Sequence, residues 1–245
     1  MNQGADRGAT RDPWLRSVWM WHYRQVLYHP RHVISVLARN GIRRVYLQIA
    51  PPLHAYRRFL GLAHQAGIQV FALDGSPQAV LDSVPVLRNT ADLIRFEARP
   101  GPRFQGFQLD VEPYALKRFW KHPTRYLHRY IALLGNVRSM IPRDIRLSVA
   151  IPSWFSRLKL DGQPVSALAV KIADEVVVMS YRGGLRAAEH AAAPVVRQAG
   201  FAHKPAYIGI QPRQRTSPGP RLALASLSGY VLESYSALGQ DLSGP

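Results

Sequence analysis

The chain has 245 residues, 47% of them hydrophobic, with 32 basic against 15 acidic side chains and a formal charge of +17. That length makes one large domain or two small ones, with ample material for a buried core. The absence of cysteine excludes a disulfide framework, a thiolate zinc site and a cysteine nucleophile.

Residues 1–12 (MNQGADRGATRD) read as a disordered polar tail ahead of a single domain over 13–245. No apolar stretch follows a basic start there, so no signal peptide is expected and the sequence as given points to the cytoplasm; a longer N-terminus would reopen export. No apolar run approaches the roughly 18 residues that a membrane span needs. Beyond the tail, strand-like runs alternate with amphipathic, helix-like ones. The strands are expected at Ser17–His22, Val45–Ile49, Gln69–Leu73, Phe107–Val111, Arg146–Ala150, Glu175–Ser180, Ala206–Ile210 and Tyr230–Glu233. Between them the expected helices are Pro30–Asn40, Leu53–Ala66, Val84–Ala98, Thr124–Met140, Val165–Ala173, Leu185–Ala199 and a short Pro220–Ser226. Asn40-Gly41, Ala66-Gly67 and Ala199-Gly200 are helix stops with glycine in the C-terminal cap. Eight strands alternating with helices predict an α/β chain folded as one parallel (β/α)8 barrel, with little sequence left for an eighth helix. An open doubly wound sheet is the rival arrangement.

The segment Gln105-Gly106-Phe107-Gln108-Leu109-Asp110-Val111-Glu112-Pro113-Tyr114 is the most informative stretch. Phe107, Leu109 and Val111 alternate with Gln108, Asp110 and Glu112, the period of a strand with one apolar and one polar face. Asp110 and Glu112 therefore point the same way, roughly 6–7 Å apart at Cβ. Like charges that close raise at least one pKa, which keeps a carboxyl group protonated for general-acid work. A solvated strand end with two ordinary acids is the plainer reading.

In such barrels the reacting groups stand at the C-terminal ends of the strands. Collected there are Trp19, Trp21 and His22 from the first strand, Gln48 from the second, Asp74 from the third, and Asp110, Glu112 and Tyr114 from the fourth. The fifth leads to Ser153, Trp154 and Phe155, the sixth to Tyr181 and Arg182, the seventh to Gln211 and the eighth to Glu233. Aromatic side chains beside carboxylates suit a carbohydrate, whose rings stack on Trp and Tyr while its hydroxyls bond planar polar groups. Packing in the core is the competing explanation for Trp19, Trp21 and Trp154, and a local turn with Gly75 for Asp74. No HExxH, G-x-S-x-G or P-loop pattern occurs, so no metal or organic cofactor is implied.

The charge is spread, with 27 arginines and 5 lysines in short clusters at 39–44, 57–58, 117–129 and 213–221. A field this positive attracts polyanions and would suit an acidic or phosphate-bearing glycan. No helix-turn-helix, zinc-finger or RNA-recognition signature accompanies it, so nucleic-acid binding is not expected.

The fourth and sixth strands resemble glycoside hydrolase family 18, the chitinase-like group, which carries D-G-x-D-x-D-x-E and M-x-Y-D at these places in a (β/α)8 barrel. Here the corresponding runs are Gln105-Gly106-Phe107-Gln108-Leu109-Asp110-Val111-Glu112 and Met179-Ser180-Tyr181-Arg182. The resemblance implies that Glu112 is the general acid, that Asp110 orients a 2-acetamido group acting as internal nucleophile, and that Tyr181 hydrogen-bonds that group. The chain departs from the pattern at Gln105, Gln108 and Arg182, each standing where the family has an aspartate. Asp110–Tyr114, Ala72–Gly75 and Trp19–Trp21 look closer to a little-characterised set of bacterial glycosidase-like barrels, over roughly residues 17–235. Without an acetamido group, Asp74 or Glu233 would serve as nucleophile or base, at about 5 Å from Glu112 for retention or about 6.5–9.5 Å for inversion. Three functions follow: a hydrolase of a bacterial polysaccharide, a catalytically silent barrel that binds glycans, and, behind these, a basic scaffold for nucleic acid.

Overall fold

The computed structural model describes residues 15–215 and 226–240. The tail over 1–12 and all but the last residue of the helix expected at Pro220–Ser226 lie outside the described residues.

Eight strands run parallel and close on themselves: β1 (Leu15–Met20), β2 (Arg44–Gln48), β3 (Gln69–Asp74), β4 (Gly106–Leu109), β5 (Arg146–Pro152), β6 (Glu175–Met179), β7 (Ala206–Ile210) and β8 (Leu227–Leu232). Each pairs with the next, and β8 returns to pair with β1, so the open doubly wound sheet is excluded. The six longer helices are α1 (Pro30–Arg39), α2 (Arg57–Gln65), α3 (Val84–Glu97), α4 (Pro123–Met140), α5 (Val165–Ile172) and α6 (Leu185–Phe201). After β8 the five-residue helix Ser236–Gln240 follows among the described residues. A two-stranded hairpin, Lys159–Leu160 with Gln163–Pro164, is inserted after β5 and has no counterpart in the expected elements. Among the described residues no helix is long and apolar enough to cross a membrane.

Local chemistry sets the helix ends. Proline stands in the first turn of α1, α3 and α4, where its missing N–H costs no helical bond. Gly41 and Gly67 follow α1 and α2 with φ of 71° and 67°, the left-handed cap that glycine adopts without a Cβ clash. The third expected stop is displaced: α6 continues through Gly200, and the left-handed residue is His203, φ 53°. The Lys204 ammonium then donates to the carbonyls of Val170 (2.8 Å) and Lys171 (2.9 Å) at the end of α5. This anchors the turn that feeds β7, so the stop is set by a tertiary contact that periodicity does not record.

The apolar residues divide by strand parity. Val45, Leu47, Phe107, Leu109, Val149 and Val178 face outward into the core shared with the helices. Trp19, Tyr46, Phe71, Leu73, Ala150, Val177, Met179 and Val231 fill the barrel itself. Its interior is crowded, and two inward glycines relieve it: a Cβ at Gly106 would lie 2.3 Å from the Phe71 ring, and one at Gly209 would lie 2.7 Å from the Trp19 indole. Large rings on β1 and β3 are thus matched by absent side chains on β7 and β4, the complementarity that lets a barrel pack without voids.

Candidate active site

Beyond β4 the chain leaves the sheet at Leu109, so Asp110 and Glu112 sit just past the strand, one step further out than the alternation placed them. The pairing persists for one bond, Asp110 N–H to the Asp74 carbonyl at 3.0 Å. Gly75 packs against this point, where a Cβ would fall 2.2 Å from the Asp110 carbonyl oxygen, leaving room for glycine alone. The turn Pro113–Ala115 then brings Tyr114 back over Glu112, and its hydroxyl donates to Glu112 Oε1.

Glu112 opens into a cleft of about 650 Å³ at the C-terminal mouth of the barrel. Tyr114, Trp120, Trp154 and Tyr181 wall it, with Arg157 and Arg182 at its edge. The aromatic wall is continuous: Tyr114 meets Trp154 edge-on at 5.0 Å between centroids, and Trp154 lies 5.7 Å from Trp120 with planes 30° apart. Trp120 is 65% exposed and presents its indole to the cleft.

Asp110 does not line the cleft. Its Oδ1 is buried with no hydrogen-bond partner among the described residues. Burial, and secondarily the charge of Glu112, push its pKa up to about 7. Tyr181 is held well above its ordinary value by burial, then by the charges of Asp110, Glu233 and Glu112, which places all three carboxylates around one phenol. Below them the floor is neutral. The Trp19 indole N–H donates to Gln108 Oε1, and Gln108 Nε2 donates to Ser148 Oγ at 3.0 Å.

Of the residues expected at the mouth, the structure gathers Glu112, Tyr114, Trp154, Tyr181 and Arg182 around one cavity, together with Ser153. Trp19 and Gln108 are fully buried beneath it. Trp21 is half-buried, stacked 6.3 Å from Trp19, and gives its N–H to the Glu233 carbonyl at 2.8 Å. Asp74 turns outward: Oδ1 takes the Gly75 N–H and Oδ2 takes Asn89 Nδ2 on α3 at 3.0 Å. Gln48 is exposed at the end of β2 and Gln211 half-buried after β7, neither of them among the cleft residues. Trp120 and Arg157, by contrast, were not expected. Both stand in irregular loop segments where no period marks a side chain as inward, although an indole inside the basic run 117–129 was a visible signal.

The raised pKa of Asp110 links its protonation to folding. The folded state holds its proton up to about pH 7, whereas an unfolded aspartate releases it near 3.9. The Asp110 contribution to stability is therefore fully present below about pH 4, declines as pH rises toward 7, and is absent above it. Asp110→Asn is expected to melt close to the wild-type temperature near pH 4 and roughly ten degrees higher at pH 8, on the order of 4 kcal/mol. Thermal melts at the two pH values check this; an equal difference at both would contradict the burial of the charge.

No protein family's sequence profile matches the chain, and no curated protein matches it. Solved structures do. The chain is similar to the Bacillus cereus spore cortex-lytic enzyme SleL, at 13% identity over 80% of this chain and 50% of that one, TM-score 0.52. It is similar to the GH99 endo-α-mannosidase of Bacteroides thetaiotaomicron, at 13% identity over 85% and 70%, TM-score 0.51. An aldolase, QR15, matches at 11% identity over 92% and 93%, TM-score 0.55. The chain thus spans half the length of SleL. At these identities the likeness shows the fold, a single (β/α)8 barrel, and that fold hosts unrelated chemistries.

Proposed function

We propose that the chain is a glycoside hydrolase acting on a bacterial polysaccharide or oligosaccharide, with Glu112 as the general acid. One observation carries the reading: Glu112 is the carboxylate of a cleft at the barrel mouth whose walls are Tyr114, Trp120, Trp154 and Tyr181. Stacked aromatic faces hold a sugar ring, and Glu112 is placed to pass its proton to the glycosidic oxygen as the C1–O bond breaks. The Tyr114 hydroxyl, donating to Oε1, leaves Oε2 to carry that proton. Of the other acids, Asp110 neighbours Glu112 and Glu233 faces Tyr181, whereas Asp74 is engaged with Asn89. With Asp74 engaged by Asn89 and Asp110 buried off the cleft, the nucleophile or base is sought in Glu233. The fold likeness to SleL and to a mannosidase agrees with this reading, and the charge of +17 favours an acidic glycan.

A silent, glycan-binding barrel is the second reading. What favours it is the amide of Gln108, locked between Trp19 and Ser148 where the chitinase-like pattern has a carboxylate. A panel of polysaccharides assayed for new reducing ends, with wild type and Glu112→Gln side by side, tests both. Release by the wild type alone supports the hydrolase. Equal release removes Glu112 as the acid, and binding without release supports the silent barrel.

A further inference from the structure

We infer that the cleft selects a carboxylated sugar, a uronic acid unit held by the guanidinium groups of Arg157 and Arg182 beside Glu112. The inference rests on the glycosidase reading and names its substrate class. Arg157 closes the turn Ser153–Ser156 after β5, and Arg182 follows β6, so adjacent loops deliver two cations to one cavity. Both are exposed, and neither has an ion-pair or hydrogen-bond partner among the described residues. Some arginines outside the cleft are matched, Arg44 with Glu175, Arg95 with Asp92, Arg138 with Asp174 and Arg57 with backbone carbonyls, while others such as Arg31 and Arg58 are exposed but lie outside the aromatic-walled cavity.

Glu112 is the one acidic residue among those lining the cleft, and it already accepts the Tyr114 hydroxyl. Asp110 and Glu233 lie about Tyr181 but are not among the residues that line the cleft. The loop bearing Tyr114 and Trp120 also exposes Lys117, Arg118 and Lys121, and no Asp or Glu occurs between Pro113 and Arg143. Arg182 stands where the chitinase-like motif has an aspartate, so the sign of the charge at the end of β6 is reversed. A neutral sugar would leave both guanidinium groups without a counter-charge. A planar carboxylate on a stacked pyranose ring meets one fork with two parallel N–H···O bonds and accepts from the other guanidinium on its remaining lone pairs, geometry that an ammonium could not offer.

The test uses the full chain carrying Glu112→Gln, titrated calorimetrically with polygalacturonate, with the same polymer fully methyl-esterified, with poly(glycerol phosphate) and with single-stranded DNA. The ester keeps the backbone and removes the charge. Polygalacturonate is expected to bind at least tenfold more tightly than the other three. Adding Arg157→Gln with Arg182→Gln is expected to remove that preference, whereas Arg31→Gln with Arg58→Gln, on exposed arginines outside the cleft, keeps it. Equal affinity for acid and ester, preference for phosphate or DNA, absence of uronate binding, or an equal loss in the Arg31/Arg58 variant each overturns the inference. The two readings fail separately. Hydrolysis of a neutral glycan without uronate binding sinks this one and leaves the hydrolase, while uronate binding with no hydrolysis of any substrate sinks the hydrolase and leaves the binding site.

Discussion

Glu112→Gln is expected to lower kcat by about 10²–10⁴-fold, the usual worth of a positioned general acid, with KM within a few-fold and the melting temperature unchanged. Glutamine keeps the size of the side chain and an oxygen for the Tyr114 hydroxyl, so the cleft should keep its shape. It cannot release a proton to a departing alkoxide, so only the transition state loses an interaction. A substrate whose leaving group needs no proton, such as a dinitrophenyl glycoside, should recover most of the lost rate. Tyr114→Phe should act in the same direction but less strongly, because the acid remains and only its orientation is released. Wild-type rates in Glu112→Gln on every substrate cleaved would remove Glu112 from the chemistry.

Glu175→Ala is expected to cost roughly 3–5 kcal/mol of stability, the typical penalty for stranding a buried charge. At the closed end of the barrel Glu175 is 1% exposed and Arg44 8%. The carboxylate takes Arg44 Nη1 at 2.8 Å and the Tyr46 hydroxyl at 2.9 Å, while Arg44 also donates to Gln69 Oε1 at 2.8 Å. The guanidinium lies 4.7 Å from the Phe71 ring centroid and 4.9 Å from that of Tyr207. Removing the carboxylate leaves a cation enclosed by rings with only neutral oxygens to bond. For a chain of this size the melting temperature should fall by roughly 6–20 °C. Replacing both partners, Arg44→Met with Glu175→Leu, should restore most of the loss, because the desolvation penalty is removed along with the attraction. Chemical denaturation of the two single variants and the double one measures the coupling, and a loss below about 1 kcal/mol in Glu175→Ala would mean that water reaches Arg44.

Much of the barrel is legible in the sequence because its period is enforced by burial on both faces. All eight strands were placed within a few residues, and Gly41 and Gly67 mark their helix ends. What escapes is what the third dimension decides. Asp74 looks like a mouth residue, yet on β3 the interior positions are Phe71 and Leu73, so parity turns Asp74 toward α3. Trp19 has the right parity but sits one layer too deep, under Trp21. Arg44 and Glu175 look like solvated strand starts, since nothing local announces that they meet across the barrel. Glu112, Tyr114, Trp154, Tyr181 and Arg182 were legible because strand ends fix where they emerge. Trp120 and Arg157 were not, because irregular loops carry no repeat.

The exposed indole of Trp120 gives the cleft its own optical reporter. With Trp19 sealed inside the barrel and Trp120 65% open to solvent, a small neutral quencher such as acrylamide reaches the two very unequally. A glycan lying along the aromatic wall would shield Trp120 and leave the sealed indole's emission as it was, so occupancy can be followed in the unlabelled protein before any bond is broken.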